Sequence, residues 1–189
     1  MVLLGYTLSY LELFGTLFSF AAVVLAARNK IWNWPVGIIG QIFFFILFLK
    51  NQLFGQVALQ VFFTIVSIYG WTYWGRDIGK KIKISSLKNV IITGIVILIL
   101  CLLGGYVLGF FQPQFALLDA IVTTMSIFAV VFLSKKYLYG WFLWILLDML
   151  SVWLFYSKGI YLVSLEYIVI TFVAVYGLIN WTKIYKKQQ

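Results

Sequence analysis

Seven apolar stretches, each close to the length a bilayer requires, follow one another along this 189-residue chain with short connections between them. Their bounds read as 10–27, 33–50, 54–75, 88–111, 115–134, 140–157 and 161–181. The hydrocarbon core of a membrane is about 30 Å thick, which about 20 helical residues cross. It offers no water to unpaired backbone groups, so runs of this length cross it as helices. The sequence is therefore expected to form an all-α membrane protein with seven transmembrane helices. Composition agrees: 64% of residues are apolar and 10% charged, against about a quarter charged in soluble domains. No polar segment has room for a separate soluble catalytic or nucleic-acid-binding domain, so residues 1–189 read as a single transmembrane domain. Membrane lipid is its surrounding partner and nucleic acid is excluded.

The net charge of +9 follows from topology. With these spans, Arg28, Lys30, Arg76, Lys80, Lys81, Lys83, Lys88, Lys135, Lys136, Lys183, Lys186 and Lys187 fall on one side, and only Lys50 and Lys158 on the other. The positive-inside rule then places the N-terminus outside and the C-terminus in the cytoplasm. Ala26 and Ala27 close the first span as a signal-peptide cleavage site would, but its first cation, Arg28, follows the apolar run. The first span is expected to be retained. Cys101 is the single cysteine and there is no histidine, so neither a disulfide framework nor a thiolate metal cluster is expected, and no cofactor.

Four of the five carboxylates, Glu12, Asp119, Asp148 and Glu166, lie inside apolar spans, and no Lys or Arg sits at comparable depth. A charge near the bilayer centre costs roughly 2.5 to 3.5 kcal/mol on insertion scales, so such residues face a bundle interior or a wet cavity and mark a pathway. The missing positive partner is expected to be a substrate. Glu12 and Asp119, near the outer ends of their spans, also suit capping or solvation; Asp148, mid-span, does not.

Residues 12–74 align without a gap onto 119–181, a constant shift of 107 positions. Glu12 meets Asp119, Thr16 meets Thr123, Ser19 meets Ser126, Trp34 meets Trp141, Gln41 meets Asp148, Thr64 meets Thr171, Tyr69 and Gly70 meet Tyr176 and Gly177, and Trp74 meets Trp181. Apolar matches are cheap in such a composition, but polar and Trp matches in one frame are not. Each repeat (10–75 and 115–181) holds three spans and the charge-free interior of 88–111 carries the chain back, so both repeats share one orientation. That is a 3+1+3 parallel-repeat, SWEET-like arrangement, whose substrates sit near the midplane between the halves.

Positions three, four and seven apart share a helical face. On that spacing stand Glu12, Thr16 and Ser19; Asp119, Thr123 and Ser126; Gln56, Gln60, Thr64 and Ser67; Trp34, Gly37 and Gln41; and Trp141, Trp144, Asp148 and Ser151. For Thr and Ser the plainer reading is a bond to their own backbone, and for Gln41, Gln56 and Gln60 it is interhelical glue. Trp32, Trp34, Trp71, Trp74, Trp141, Trp144 and Trp181 fall toward the cytoplasmic ends, where an aromatic belt would place most of them. Trp144, one turn from Asp148, is the exception. An aromatic face beside a carboxylate in a low-dielectric cavity suits a flat organic cation.

The stretches WNWPVGIIG (32–40), ALQVFFTIVSIYGW (58–71), KKYLYGWFLWILLDMLSV (135–152) and SLEYIVITFVAVYG (164–177) together resemble the PnuC family of bacterial nicotinamide riboside transporters, over nearly the whole chain. The resemblance implies a seven-span SWEET-like homotrimer in the inner membrane. It would import an aromatic nucleoside cation by facilitated diffusion, with cytoplasmic phosphorylation by a separate kinase trapping the product. It also implies that Gln60, Asp119, Thr123, Trp141, Trp144 and position 148 line the ligand site; Gln41 and Thr64 join them on the polar faces above. Relatives with similar motifs are linked to thiamine and, more distantly, riboflavin. The resemblance departs at one place. Where the sixth-span motif of the nicotinamide riboside members runs W-x-x-x-N-V-I-S-V, this chain has Asp148-Met149-Leu150-Ser151-Val152. A carboxylate in place of an amide removes two donors and adds a charge, which favours a cation such as nicotinamide riboside or thiamine over neutral riboflavin.

The expected mechanism has the substrate stack beside Trp144, pair with Asp148 and hydrogen-bond Gln60 and Thr123 while the two bundles rock about it. Proton coupling through Asp119 or Glu166 is the competing mechanism. A membrane-embedded enzyme using Asp119 and Asp148 as an acid/base pair is the remote alternative; without His, a cysteine pair or a Gly-rich phosphate loop, metal and phosphoryl chemistry lack their usual parts. The chain is expected not to be an enzyme.

Overall fold

The computed structural model of the protein describes residues 2–3, 6–7, 9–50, 54–76, 81–110, 116–157 and 161–189. Two short antiparallel strands, β1 (Val2–Leu3) and β2 (Tyr6–Thr7), precede the helices. The helices are α1 (Tyr10–Ala27), α2 (Asn33–Lys50), α3 (Phe54–Gly75), α4 (Leu87–Gly109), α5 (Ala116–Ser134), α6 (Tyr139–Ser157) and α7 (Tyr161–Lys187). Each expected span is one of these helices, and the first three share their bounds with it. Among the described residues five helices are long and apolar enough to cross a membrane; the apolar stretches Ala120–Ser134 of α5 and Tyr139–Leu154 of α6 are shorter. Lys80 and Lys158, placed on opposite sides by the sequence, lie outside the described residues.

The chain forms two compact units, Met1–Lys80 and Lys81–Gln189. In the first, α2 packs on both α1 and α3; in the second, α4, α5, α6 and α7 pack in chain order. Small residues set the approach of α1 to α2. A Cβ added at Gly40 would meet Ser19 Oγ at 2.8 Å, while Phe14 and Phe18 stack on Phe43 at 5.6 and 5.9 Å. In the second unit Met125 and Ala129 of α5 close on Leu147 of α6, with Trp144 packed against them. Large apolar side chains outside these contacts, such as Ile95, Leu98 and Leu102 of α4, are exposed, as a lipid-facing surface requires.

The units repeat one another in internal geometry. After α1, Asn29 takes φ 56°, with its N–H on the Ala26 carbonyl (2.8 Å) and the Lys30 N–H on the Leu25 carbonyl (2.9 Å). After α5, its counterpart Lys136 takes φ 61°, with its N–H on Leu133 (3.0 Å) and the Tyr137 N–H on Phe132 (2.9 Å). Both are Schellman closures, which need a left-handed residue just past the helix. Asn tolerates that conformation; Lys does so at a cost.

Tryptophan departs from the belt expectation. Trp32 and Trp71 are exposed, but Trp34, Trp74, Trp141 and Trp181 are buried. They form two edge-to-face pairs, Trp34 with Trp74 at 5.3 Å and Trp141 with Trp181 at 5.7 Å. The reason is glycine: Gly70 and Gly177 open a slot on α3 and α7 into which Trp34 and Trp141 press.

A short strap tightens the second unit. Lys83 donates its N–H to the Lys136 carbonyl (2.9 Å) and accepts from the Leu138 N–H (3.0 Å), pinning the α5–α6 turn. Beside it, Ile82 is buried and donates to Gln188 Oε1 at 3.0 Å. Lys136 is itself buried, its ammonium 6.0 Å from the Trp181 ring centre. Burial lowers its pKa to about 8, because desolvation disfavours the charged form.

Candidate functional site

Asp148 stands in the middle of α6 with 0% of its surface exposed, and neither carboxyl oxygen has a hydrogen-bond partner among the described residues. Ser151, one turn further along the same face, is equally buried. On α7, Tyr167 lies beside Ser151 and within electrostatic range of both Asp148 and Glu166. The Ser164 hydroxyl of α7 donates to the Val152 carbonyl at 2.9 Å, which ties α6 to α7 next to this group. Buried polar groups are almost always hydrogen-bonded, and an unmade bond costs about 1–3 kcal/mol, more for a charged group. A buried carboxyl left open beside the hydroxyl of Ser151 therefore forms a polar site that a ligand could complete.

The first unit shows what the same place looks like when the protein completes it. Gln41, the counterpart of Asp148, donates from Nε2 to Ser67 Oγ at 3.0 Å, and Thr64 Oγ1 lies 3.1 Å from Gln41 Oε1. Thr64 also reaches the Gln60 carbonyl at 2.9 Å. At the corresponding places of α7 stand Thr171, whose hydroxyl donates to the Tyr167 carbonyl at 2.8 Å, and Ala174, which has no polar group.

The site residues inferred from the sequence sort by unit. In the first, Gln41 and Thr64 come together, while Gln60 is buried and meets Thr64 through its own backbone carbonyl. In the second, Trp141, Trp144 and Asp148 share α6. Trp141 is buried against Gly177 and Trp181, whereas Trp144 is half-buried on the α5–α6 seam. Thr123 of α5 is exposed. Asp119 belongs to α5, and its side chain lies outside the described residues. The sequence reading left Tyr167 unmarked, although the 107-residue shift points to it, because Gln60 falls on it. Among the described residues no group of three or more potential metal ligands converges.

A family model described as "Nicotinamide mononucleotide transporter" matches residues 9–183. The chain belongs to this family. It is 31% identical to the nicotinamide riboside transporter PnuC of Escherichia coli strain K12, over 94% of this chain and 87% of that protein. It is 21% identical to the riboflavin/roseoflavin transporter RibM of Streptomyces davaonensis, over 90% of this chain and 83% of that one. Its fold matches the crystal structure of the vitamin B3 transporter PnuC with a TM-score of 0.71 at 22% identity, covering 96% of this chain and 84% of the other. Family membership makes the chain a multi-pass membrane transporter and not an enzyme, which disposes of the acid/base reading of Asp119 and Asp148.

Proposed function

We propose that this transporter carries nicotinamide riboside into the bacterial cytoplasm through the inner membrane. The observation that carries the reading is Asp148, a fully buried carboxyl whose oxygens no group among the described residues satisfies, while its counterpart Gln41 is bonded on both sides. Such a group in the interior of a membrane protein belongs to a transport pathway more readily than to a scaffold. Trp144, one turn away and half-buried, offers the flat face on which a pyridinium stacks. The relatives named for nicotinamide riboside support the same substrate.

In this reading the two repeats are parallel bundles joined by α4, the N-terminus is outside and the C-terminus cytoplasmic. Transport is facilitated diffusion, phosphorylation inside the cell traps the product, and the chain assembles as a homotrimer. Gln60, Asp119, Thr123 and Trp141 complete the ligand contacts on the strength of the family resemblance. Affinity is moderate, with a Kd of about 1 μM, or roughly −8 kcal/mol, since much tighter binding would slow inward release.

The test is a thermal-shift panel on detergent-purified protein with nicotinamide riboside, thiamine, riboflavin and nicotinamide mononucleotide, followed by uptake into proteoliposomes. Nicotinamide riboside should stabilise the protein saturably and equilibrate without accumulating, with or without an imposed pH gradient. Silence from every compound in the panel would remove the substrate assignment; uphill accumulation driven by a pH gradient would replace facilitated diffusion by proton coupling.

A further inference from the structure

We propose that the end of the second unit where α5 and α7 finish binds an anionic phospholipid, whose phosphate is held by Lys183 and Lys186 of α7 with the lysines of the adjoining strap and whose acyl chain lies along the exposed face of α7. The proposal goes beyond the transport reading and stands whichever substrate the protein carries.

Three segments far apart in the chain meet at this end. Lys83 donates its N–H to the Lys136 carbonyl at 2.9 Å and accepts from the Leu138 N–H at 3.0 Å, and the neighbouring Ile82 N–H donates to Gln188 Oε1 at 3.0 Å, just past the end of α7. Each segment carries lysines next to these bonds: Lys81 and Lys83 on the strap, Lys135 on the α5–α6 turn, and Lys183, Lys186 and Lys187 on the last two turns of α7. All of them except Lys83 are exposed. The acidic residues of this unit stand elsewhere in it. Asp119 belongs to the first turn of α5, Asp148 to the middle of α6 and Glu166 to the second turn of α7. Like charges gathered without a carboxylate repel one another, and a bound anion relieves the repulsion.

The positive-inside rule accounts for lysines at one end of a bundle, but not for the surface that leads to them. Phe172, Tyr176, Ile179, Lys183 and Lys186 succeed one another at spacings of four, three, four and three, so they form one stripe along α7. Every one of them is exposed. Apolar along most of its length and cationic at its end, the stripe has the polarity of a glycerophospholipid, whereas a soluble phosphate would use its last turn alone. Lysine stems lie readily along apolar surface while the ammonium reaches a head group, and clusters of about four to eight basic residues beside a span recruit anionic lipid. The first unit lacks this ending. At the 107-residue shift Thr72 replaces Ile179 and donates its hydroxyl to the Tyr69 carbonyl at 2.9 Å, and in sequence Gly79 replaces Lys186 and Asp77 replaces Ile184.

The experiment measures thermal stabilisation of delipidated, detergent-purified protein by phosphatidylglycerol in mixed micelles, with phosphatidylcholine, glycerol 3-phosphate and inorganic phosphate as the other arms. Phosphatidylglycerol should raise the melting temperature saturably, and the other three should leave it at the lipid-free value. Lys183→Gln combined with Lys186→Gln should weaken the apparent affinity for phosphatidylglycerol by about tenfold or more, as the loss of two cations beside an anionic head group predicts. Ile179→Thr, which copies the first unit and keeps every charge, should also weaken it. Arg28→Gln combined with Lys30→Gln removes two exposed cations of the first unit and should leave it unchanged. A response to phosphatidylglycerol no larger than that to phosphatidylcholine, or equal losses in the two double variants, overturns the proposal. Stabilisation by either soluble phosphate that matches the lipid overturns the lipid as occupant, and parental affinity in Ile179→Thr overturns the placement of the acyl chain along α7.

Discussion

The indole of Trp34 lies so close to the backbone of Gly70 that a Cβ added there would stand 2.5 Å from Trp34 Cζ2, and Gly177 meets Trp141 in the same way at 2.8 Å. Each contact seats one member of an edge-to-face Trp pair. Ala favours a helix over Gly by up to about 1 kcal/mol, but a rigid indole at this distance cannot step aside, and overpacking typically costs about 1–3 kcal/mol. Gly70→Ala and Gly177→Ala are each expected to lower the melting temperature in detergent. Gly94→Ala is the control, because nothing lies within 4 Å of its added Cβ; it should be neutral or mildly stabilising.

Gln41 and Ser67 offer a second test, now of polar packing. Ser67 is 2% exposed and accepts from Gln41 Nε2 at 3.0 Å. Gln41→Leu leaves that buried hydroxyl without its donor and should destabilise the protein by about 1–3 kcal/mol. Adding Ser67→Ala removes the stranded group, so the double variant should lose less than the two single changes summed. Additive losses in thermal unfolding would show that the pair is not coupled.

The sequence and the structure agree most closely where the bilayer dictates the outcome. Helix bounds are legible because apolar length and the need to bond every backbone group leave one solution, and α7 runs past the expected end at 181 to Lys187 because cations are favourable at a helix C-terminus. The roles of the tryptophans were not legible: a belt residue and a packed pair have the same composition, and the discriminating signal was the glycine 36 positions after Trp34 and after Trp141, at Gly70 and Gly177. Asp148 stood out as a costly residue, but its lack of partners depends on what α7 presents. Reading Ala174 and Tyr167 as the counterparts of Ser67 and Gln60 would have indicated it.

Lys136 gives the chain a pH dependence with a defined sign. Its folded pKa of about 8 lies below the ordinary value of 10.5, so between these limits the unfolded chain holds the proton that the folded chain has lost, and stability rises with pH across that window. The gap corresponds to about 3 kcal/mol as an upper bound. The parent melting temperature should therefore climb from pH 8 toward pH 10 relative to Lys136→Met, which keeps an apolar stem over Trp181 and has no charge to desolvate. At neutral pH Lys136→Met should be the more stable of the two. A profile that falls in parallel for both proteins would show that the ammonium carries no such cost.

The strap across the α5–α6 turn is the last place where one backbone bond carries a structural role. Lys83 donates to the Lys136 carbonyl and receives the Leu138 N–H, so the turn is held from both sides by a segment that belongs to no helix. Lys83→Pro removes the donor, whereas Lys83→Ala removes only the side chain and keeps both backbone bonds. The Pro variant should lose about 1–3 kcal/mol and speed hydrogen exchange at Leu138, and the Ala variant should resemble the parent in both measurements. Since Trp181 packs on Trp141 and Lys136 lies over Trp181, a loosened turn should also increase the fluorescence quenching of these indoles by added acrylamide. Equal quenching in the Pro variant and the parent would mean that the strap fastens the turn alone and leaves the tryptophan pair undisturbed.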